Sequence, residues 1–93
     1  MANITKSAGF VSKLEKDIVN ELKAIGIKAK VTSEPVPTTK LFRLMVLSPQ
    51  FKEMYHSERQ SLVWRITEKA ISQADQNRIS MILTLTADEA KGK

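Results

Sequence analysis

His56 is the one histidine in a chain of 93 residues that contains no cysteine. A histidine can act as a general base, but it needs an orienting partner and a nucleophile or substrate within reach. Its neighbours Tyr55 and Ser57 stand beside it at a predicted loop–helix junction, which does not supply the geometry of a triad. A metal site would need further imidazole or thiolate ligands. We therefore expect a surface or cap-adjacent histidine, and no metal or other cofactor.

The acidic residues and the glycines give no further sign of catalysis. The acids are scattered, and no pair of them is set apart in apolar surroundings. Gly9, Gly26 and Gly92 form neither a P-loop nor a dinucleotide-binding fingerprint. These observations predict that the chain is not an enzyme.

Positive charge is the strongest chemical signal in the chain. The formal net charge is +5, and residues 35–65 hold five basic residues against two acids. The five basic residues are Lys40, Arg43, Lys52, Arg59 and Arg65. Such an excess attracts phosphate backbones or an acidic protein face. A solvated charged face that keeps a small domain in solution explains the same residues equally well.

We select these five residues as candidate nucleic-acid contacts because they flank the second predicted strand and the start of the second predicted helix. Arg59 is expected in the first turn of that helix, where free N–H groups and the helix dipole favour an anion. Tyr55 and Trp64 have rings that could stack on bases. Trp64 lies within the helix, however, where packing in the core or in an interface is the more common role.

Apolar periodicity predicts a first helix that begins near Phe10. Apolar residues recur at spacings of four, four, four and three, which places them on one stripe of a helix: Phe10, Leu14, Ile18, Leu22 and Ile25. Ser12 is the predicted N-cap, with Glu15 three residues later as its reciprocal partner. Gly26 is the predicted left-handed C-terminal cap.

Two strands with a proline-containing connection follow the first helix. Ile27, Ala29 and Val31 alternate with polar residues, which predicts a half-exposed strand. The segment SEPVPTT contains two prolines and is predicted to be a turn or loop. The nearly continuous apolar run of residues 41–47 predicts a strand that is central in its sheet or covered on both faces. The segment SPQFKEMYH is expected to hold a short extra helical turn.

A second helix and a third strand complete the predicted order. Ser57 with Gln60 three residues later has the form of a capping box and should open the helix. The helix is expected to turn its basic side chains toward solvent and to bury Leu62, Val63, Ile66 and Ala70. Residues 79–85 alternate in polarity and predict the third strand.

The order helix-strand-strand-helix-strand predicts an α+β fold with two helices packed on one face of a three-stranded sheet. We expect a single domain over residues 10–87, with flexible tails at residues 1–9 and 88–93. No leader sequence is recognisable, and no apolar run approaches the roughly 20 residues of a membrane span. We therefore expect a cytoplasmic protein that does not enter a membrane.

The central segment LFRLMVLSPQF, together with the helix that follows it, resembles the centre of the BolA-like family. In that family an aromatic-led strand ends in a short turn with a phenylalanine. An arginine, two aliphatic residues and an aromatic residue then appear on the following helix. This chain has those residue types in register at Phe42, Phe51, Arg59, Leu62, Val63 and Trp64. Similarity in element order extends over about residues 10–87.

The resemblance implies a fold related to the class II KH domain and a protein without enzymatic activity. It also implies one of two roles. The first is DNA binding in transcriptional regulation. The second is partnership with a monothiol glutaredoxin in iron–sulfur cluster and iron homeostasis, with docking through the second helix and the third strand.

The chain departs from the family at the positions that would bind a metal. Leu41 and Ile79 or Ser80 occupy the places of the family's histidines, and His56 matches neither place. Aliphatic and hydroxyl side chains do not replace an imidazole ligand in the ordinary way. Other departures are Glu53 in place of a glycine, and Gln60 and Ser61 in place of a basic pair. These departures agree with the expectation that no cofactor is bound.

Overall fold

A computed structural model describes residues 9–91, and its first element is a helix, α1, at Gly9–Ala24. The buried side chains of α1 are Val11, Leu14, Ile18 and Leu22. The helix begins three residues before the predicted cap, so Ser12 lies inside it and is exposed. Its end follows the prediction, because Gly26 has a φ of 85°. The N–H groups of Gly26 and Ile27 donate to the carbonyls of Lys23 and Leu22, which is a Schellman cap.

Because Gly26 reverses the chain, Ile25 falls outside the buried stripe of α1. Its side chain is 58% exposed, whereas the spacing of apolar residues predicts that it packs inward. Ile27, one residue beyond the turn, packs against the core instead. A hydrophobic contact just after the cap is a regular companion of this motif.

Three strands form one mixed sheet in the order β1-β2-β3. Strand β1 is Lys30–Pro35, β2 is Phe42–Leu47 and β3 is Ile79–Leu85. Strand β2 pairs antiparallel with β1 and parallel with β3. Of the two alternatives predicted for residues 41–47, a central strand or one covered on both faces, the structure shows the central strand, and it begins at Phe42.

Strand β1 is displaced toward the C-terminus from its predicted position. It reaches Pro35, although the prolines of SEPVPTT predict a turn there. Val36 N–H donates to the Leu41 carbonyl across the β1–β2 ladder, and the two residues continue its register. The backbone of Pro35 must then point away from β2, since N–H directions alternate along a strand. A proline fits this position because no donor is needed on the outer side of an edge strand.

The connection from β2 to β3 contains most of the remaining helical residues. A 3₁₀ helix at Pro49–Glu53 confirms the expected extra turn. Helix α2 covers His56–Ala70, and a short helix α3 covers Gln73–Gln76. Helix α2 starts earlier than the predicted box at Ser57 and Gln60. Tyr55 is the N-cap residue, and its N–H donates to Glu58 Oε1 at 2.9 Å.

Helices α1 and α2 pack on the same face of the sheet. Leu14, Ile18 and Leu22 of α1 and Val63 and Ile66 of α2 form one cluster with the inward side chains of the strands. Phe51 closes the cluster at the end of β2 and is fully buried. The structure is thus an α+β domain with a three-stranded mixed sheet covered by helices on one side.

The C-terminal end differs from the predicted flexible tail of residues 88–93. Residues Ala87–Lys91 form a short helix, α4. Thr86 N–H donates to Glu89 Oε1 at 2.9 Å, and Glu89 N–H donates to Thr86 Oγ1 at 3.2 Å. This reciprocal pair is a capping box. The predicted N-terminal tail falls outside the described residues except for Gly9, which begins α1.

Candidate nucleic-acid interface

The sequence led us to expect Arg59 on a solvated face of the second helix, but the side chain is buried. Its relative exposure is 3%, and its guanidinium donates to four groups. Nε donates to the Met54 carbonyl at 3.2 Å, and Nη2 donates to the Phe51 carbonyl at 2.6 Å. Nη1 donates to the Thr84 carbonyl at 3.0 Å, and both terminal nitrogens donate to the Glu89 carboxylate. An arginine has five N–H donors, and all five are used inside the domain.

Arg59 therefore joins the 3₁₀ helix, β3 and α4. The hydrogen bond from the Arg59 guanidinium, then the hydrogen bond from the Thr86 N–H, and to a smaller extent the charge of Arg59 lower the pKa of Glu89 from 4.5 to about 2. The guanidinium carbon also lies 5.6 Å from the centre of the Phe51 ring. Because no donor remains for a phosphate, Arg59 is removed from the candidate interface. Its role is to hold the end of the sheet together.

Three of the other candidates lie along β2. Lys40 is exposed just before the strand, Arg43 is half-buried within it, and Lys52 is exposed in the 3₁₀ helix after it. Arg43 Nε and Nη2 lie 3.0 and 2.8 Å from Glu34 Oε2, so part of this guanidinium is already used, while Nη1 remains for a phosphate. Six strand residues at about 3.3 Å each separate Lys40 from the Lys52 end by roughly 20 Å. The three cations form a line rather than a compact patch.

Arg65 lies in the other layer of the domain. It is exposed on α2, where it lines a shallow depression with Gln60, Ser61, Trp64 and Glu68. Helix α2 covers the inner face of the sheet, whereas Arg43 projects from the outer face. The five predicted residues are therefore not brought together on one surface. Trp64 is half-buried and packs against the core, in agreement with the packing role preferred from the sequence.

Two further residues extend the line of cations along β2, and neither is in the predicted set. Arg78 Nε donates to the Lys40 carbonyl at 3.1 Å, and its guanidinium stacks on the rings of Phe10 and Phe42. At the opposite end, Lys28 N–H donates to Gln50 Oε1 at 3.1 Å, beside the 3₁₀ helix that carries Lys52. Proximity to the ends of strands is the one sequence signal that could have indicated them.

Aromatic groups are distributed unequally along this line. Tyr55 is 80% exposed at the start of α2, close in sequence to Lys52. Its ring is free to stack, as the sequence suggested. Phe42, by contrast, packs edge-on against Phe10 with ring centres 5.7 Å apart. Aromatic stacking is therefore available only at the Lys52 end, as far as residues 9–91 are concerned.

Part of the outer face of the sheet is apolar. Beyond Arg43, the outward side chains of β2 and β3 that the register places side by side are Met45, Leu47, Met81, Leu83 and Leu85. Met81 and Leu83 are 44% and 37% exposed. We call these five residues the open face. No described helix covers it, so it is apolar surface that the strands could present to a partner.

His56 is exposed as the first residue of α2. Within residues 9–91, no group of three or more histidine, aspartate or glutamate residues is arranged to hold a metal ion. Among the same residues, no helix is both long and apolar enough to cross a membrane.

Comparison with known proteins found no match for this chain among family models, curated proteins or solved structures. The resemblance to the BolA-like family therefore stays a prediction from the residues of the central segment, and the argument for function depends on the geometry above.

Proposed function

We propose that this chain is a non-enzymatic binding module of BolA-like, class II KH-like architecture, and that it binds nucleic acid in the regulation of transcription. One observation carries the proposal. Lys40, Arg43 and Lys52 lie in a line along β2, and Tyr55 projects into solvent just beyond Lys52. This arrangement differs from the broad basic face predicted from the sequence, because Arg59 and Arg65 do not contribute to it.

The line suits contacts to phosphates rather than readout of bases. Its length of roughly 20 Å equals the rise of about six base pairs along a duplex axis at 3.4 Å each. Flexible lysines at both ends contact phosphates without fixing a base sequence. Tyr55 adds one stacking surface, which tolerates any base. We therefore expect modest affinity that depends strongly on salt and weakly on sequence.

Fluorescence anisotropy with a mixed-sequence DNA duplex tests this proposal. With three phosphate contacts, the logarithm of the binding constant should fall with the logarithm of salt concentration at a slope of about −2.7. The double variant K40A/K52A should reduce that slope to about −0.9. Variant K16A/K69A is the matched control, since it removes the same charge from exposed positions on the helices.

Two results would count against nucleic-acid binding through this line. One is the absence of binding at low salt. The other is an equal loss of affinity in K16A/K69A, which would show that only the net charge matters.

A second candidate function, partnership with a monothiol glutaredoxin, is favoured by the open face. Met81 and Leu83 of β3 are the most exposed side chains there, and exposed apolar area suits a protein partner better than a phosphate backbone. The same isotope-labelled chain can be titrated with the DNA duplex and with glutaredoxin. Amide shifts near Lys40 and Lys52 support the first function, whereas shifts confined to the open face, at Met81 and Leu83 of β3, support the second.

A further inference from the structure

The outer edge of β3 is closed by side chains from α2. The Leu85 carbonyl accepts from Ser48 N–H at 3.0 Å and so faces β2. Because carbonyl directions alternate along a strand, those of Ile82 and Thr84 face outward. Gln60 Nε2 donates to the Ile82 carbonyl at 2.7 Å, and Arg59 Nη1 donates to the Thr84 carbonyl at 3.0 Å. These outward acceptors are already used, so another strand cannot pair there.

The outer edge of β1 is bare by comparison. In the β1–β2 register, Lys30, Thr32 and Glu34 direct their backbone groups toward β2, as the Val36–Leu41 hydrogen bond shows. The N–H and carbonyl groups of Val31 and Ser33 therefore face outward. Within residues 9–91, no hydrogen bond from another element reaches them. An edge of this kind is a template for a further strand.

We propose that a second copy of this chain occupies the edge, with β1 of each copy pairing antiparallel to form a continuous six-stranded sheet. In the proposed register Val31 of each copy lies opposite Ser33 of the other, so the two Val31–Ser33 pairs are equivalent by symmetry. Thr32 then faces Thr32 of the second copy on the two-fold axis. The β1 edge adjoins the proposed nucleic-acid contacts at Glu34, which also pairs with Arg43, but the strand pairing does not depend on nucleic-acid binding.

Charge complementarity selects this register. Lys30 would lie directly opposite Glu34 of the second copy, in a pair that is not hydrogen-bonded through the backbone and whose side chains are closest. Lys30 makes no ion pair within the described residues. Arg43 contacts only Oε2 of Glu34, at 3.0 and 2.8 Å. The Oε1 atom therefore remains for the incoming lysine.

The neighbouring registers are less favourable. A shift that places Ser33 opposite Ser33 of the second copy brings Val31 against Pro35 of that copy, which has no N–H to donate. A shift that places Val31 opposite itself sets Glu34 against Lys28, which lies outside β1. Only the proposed register matches a strand lysine with a strand glutamate twice.

Apolar surface beside the β1 edge would be buried when the second copy pairs there. Val19 of α1 and Val31 of β1 are half-buried and line a groove along this side with Glu15, Lys16 and Asn20. Ser33 Oγ donates to Glu15, which ties α1 to the edge strand. Pairing of the strands would bring the two grooves together and remove both valines from water.

Sedimentation equilibrium of the full chain over a range of concentrations tests the proposal, together with amide hydrogen exchange. The wild-type chain should associate to a dimer, and exchange at Val31 and Ser33 should slow as concentration rises. Variants K30E and E34K should each dimerise at least about ten-fold more weakly, because two attractive cross-strand pairs become repulsive. An equimolar mixture of K30E and E34K should associate again, since every pair is then opposite in charge.

Variant K28E is the matched control, because it makes the same charge change two residues before β1 and should dimerise like the wild type. A chain that stays monomeric at millimolar concentration overturns the proposal. So does a dimer that is equally stable in K30E and K28E, or one whose formation leaves exchange at Val31 and Ser33 unchanged. Failure of the K30E and E34K mixture to associate also overturns the proposal.

Discussion

The two edges of the sheet are protected in different ways. At β3 the outward carbonyls of Ile82 and Thr84 receive hydrogen bonds from Gln60 and Arg59, and α4 packs beside them through Glu89. Within residues 9–91, the protection at β1 consists of a proline at the end and charged side chains on the outer face. The β3 edge is part of the folded core, whereas no described element hydrogen-bonds to the backbone at the outer edge of β1.

Two arginines show how much this difference depends on surroundings. Arg59 and Arg43 both contact a glutamate at 2.8 Å. The Arg59 side chain is 4% exposed and also satisfies three backbone carbonyls, whereas the Arg43 side chain is 37% exposed. An ion pair in water contributes little, while breaking a buried one leaves unpaired polar groups in the interior.

Of the variants that test the difference between the two edges, replacement of Arg59 should change the free energy of unfolding most. We expect R59A to lower the free energy of unfolding by about 3–5 kcal/mol, because three carbonyls and the Glu89 carboxylate lose their donor. We expect R43A to lower it by less than about 1 kcal/mol. Urea unfolding followed by Trp64 fluorescence measures both. Equal losses in the two variants would contradict the assignment of Arg59 as the group that closes the edge.

Replacing Gln60 should give an intermediate effect. Variant Q60A leaves the Ile82 carbonyl and Thr84 Oγ1 without their donor, and we expect a loss of about 1 kcal/mol in the same unfolding experiment. The neighbouring S61A removes an exposed hydroxyl and should leave stability unchanged. Amide exchange should become faster along β3 in Q60A but not along β1. Faster exchange along β1 alone would show that Gln60 does not protect the β3 edge.

Removing the charge of Glu89 should have the smallest effect, visible mainly as a function of pH. The pKa of Glu89 is lowered in the folded chain from 4.5 to about 2. Its ionised form therefore contributes stability above about pH 4.5, and this contribution is lost as the pH falls toward about 2. The thermal unfolding temperature of the wild type should fall as the pH is lowered across that interval. In E89Q the unfolding temperature should depend less on pH over the same interval. If E89Q and the wild type lose stability in parallel from pH 5 to 2, Glu89 does not hold α4 in this way.

Much of the fold follows from local patterns in the sequence. The stripe of α1, the left-handed Gly26, the central position of β2 and the bounds of β3 all follow from periodicity and turn chemistry, which act over a few residues. The short helix α4 has a local signal as well, because Thr86 with Glu89 three residues later has the form of a capping box. Errors at Ser12 and Ser57 concern helix starts, where several nearby residues can serve as caps.

The class of the domain, its positive charge and the order of its main elements can be read from the residues alone, because each depends on composition or on nearest neighbours. Which arginine is buried, which sheet edge is closed and how Pro35 fits into a strand become visible in the folded chain. Those outcomes depend on backbone carbonyls that come from distant parts of the chain. Arg59 looks like any surface arginine on a helix until Phe51, Thr84 and Glu89 are brought around it.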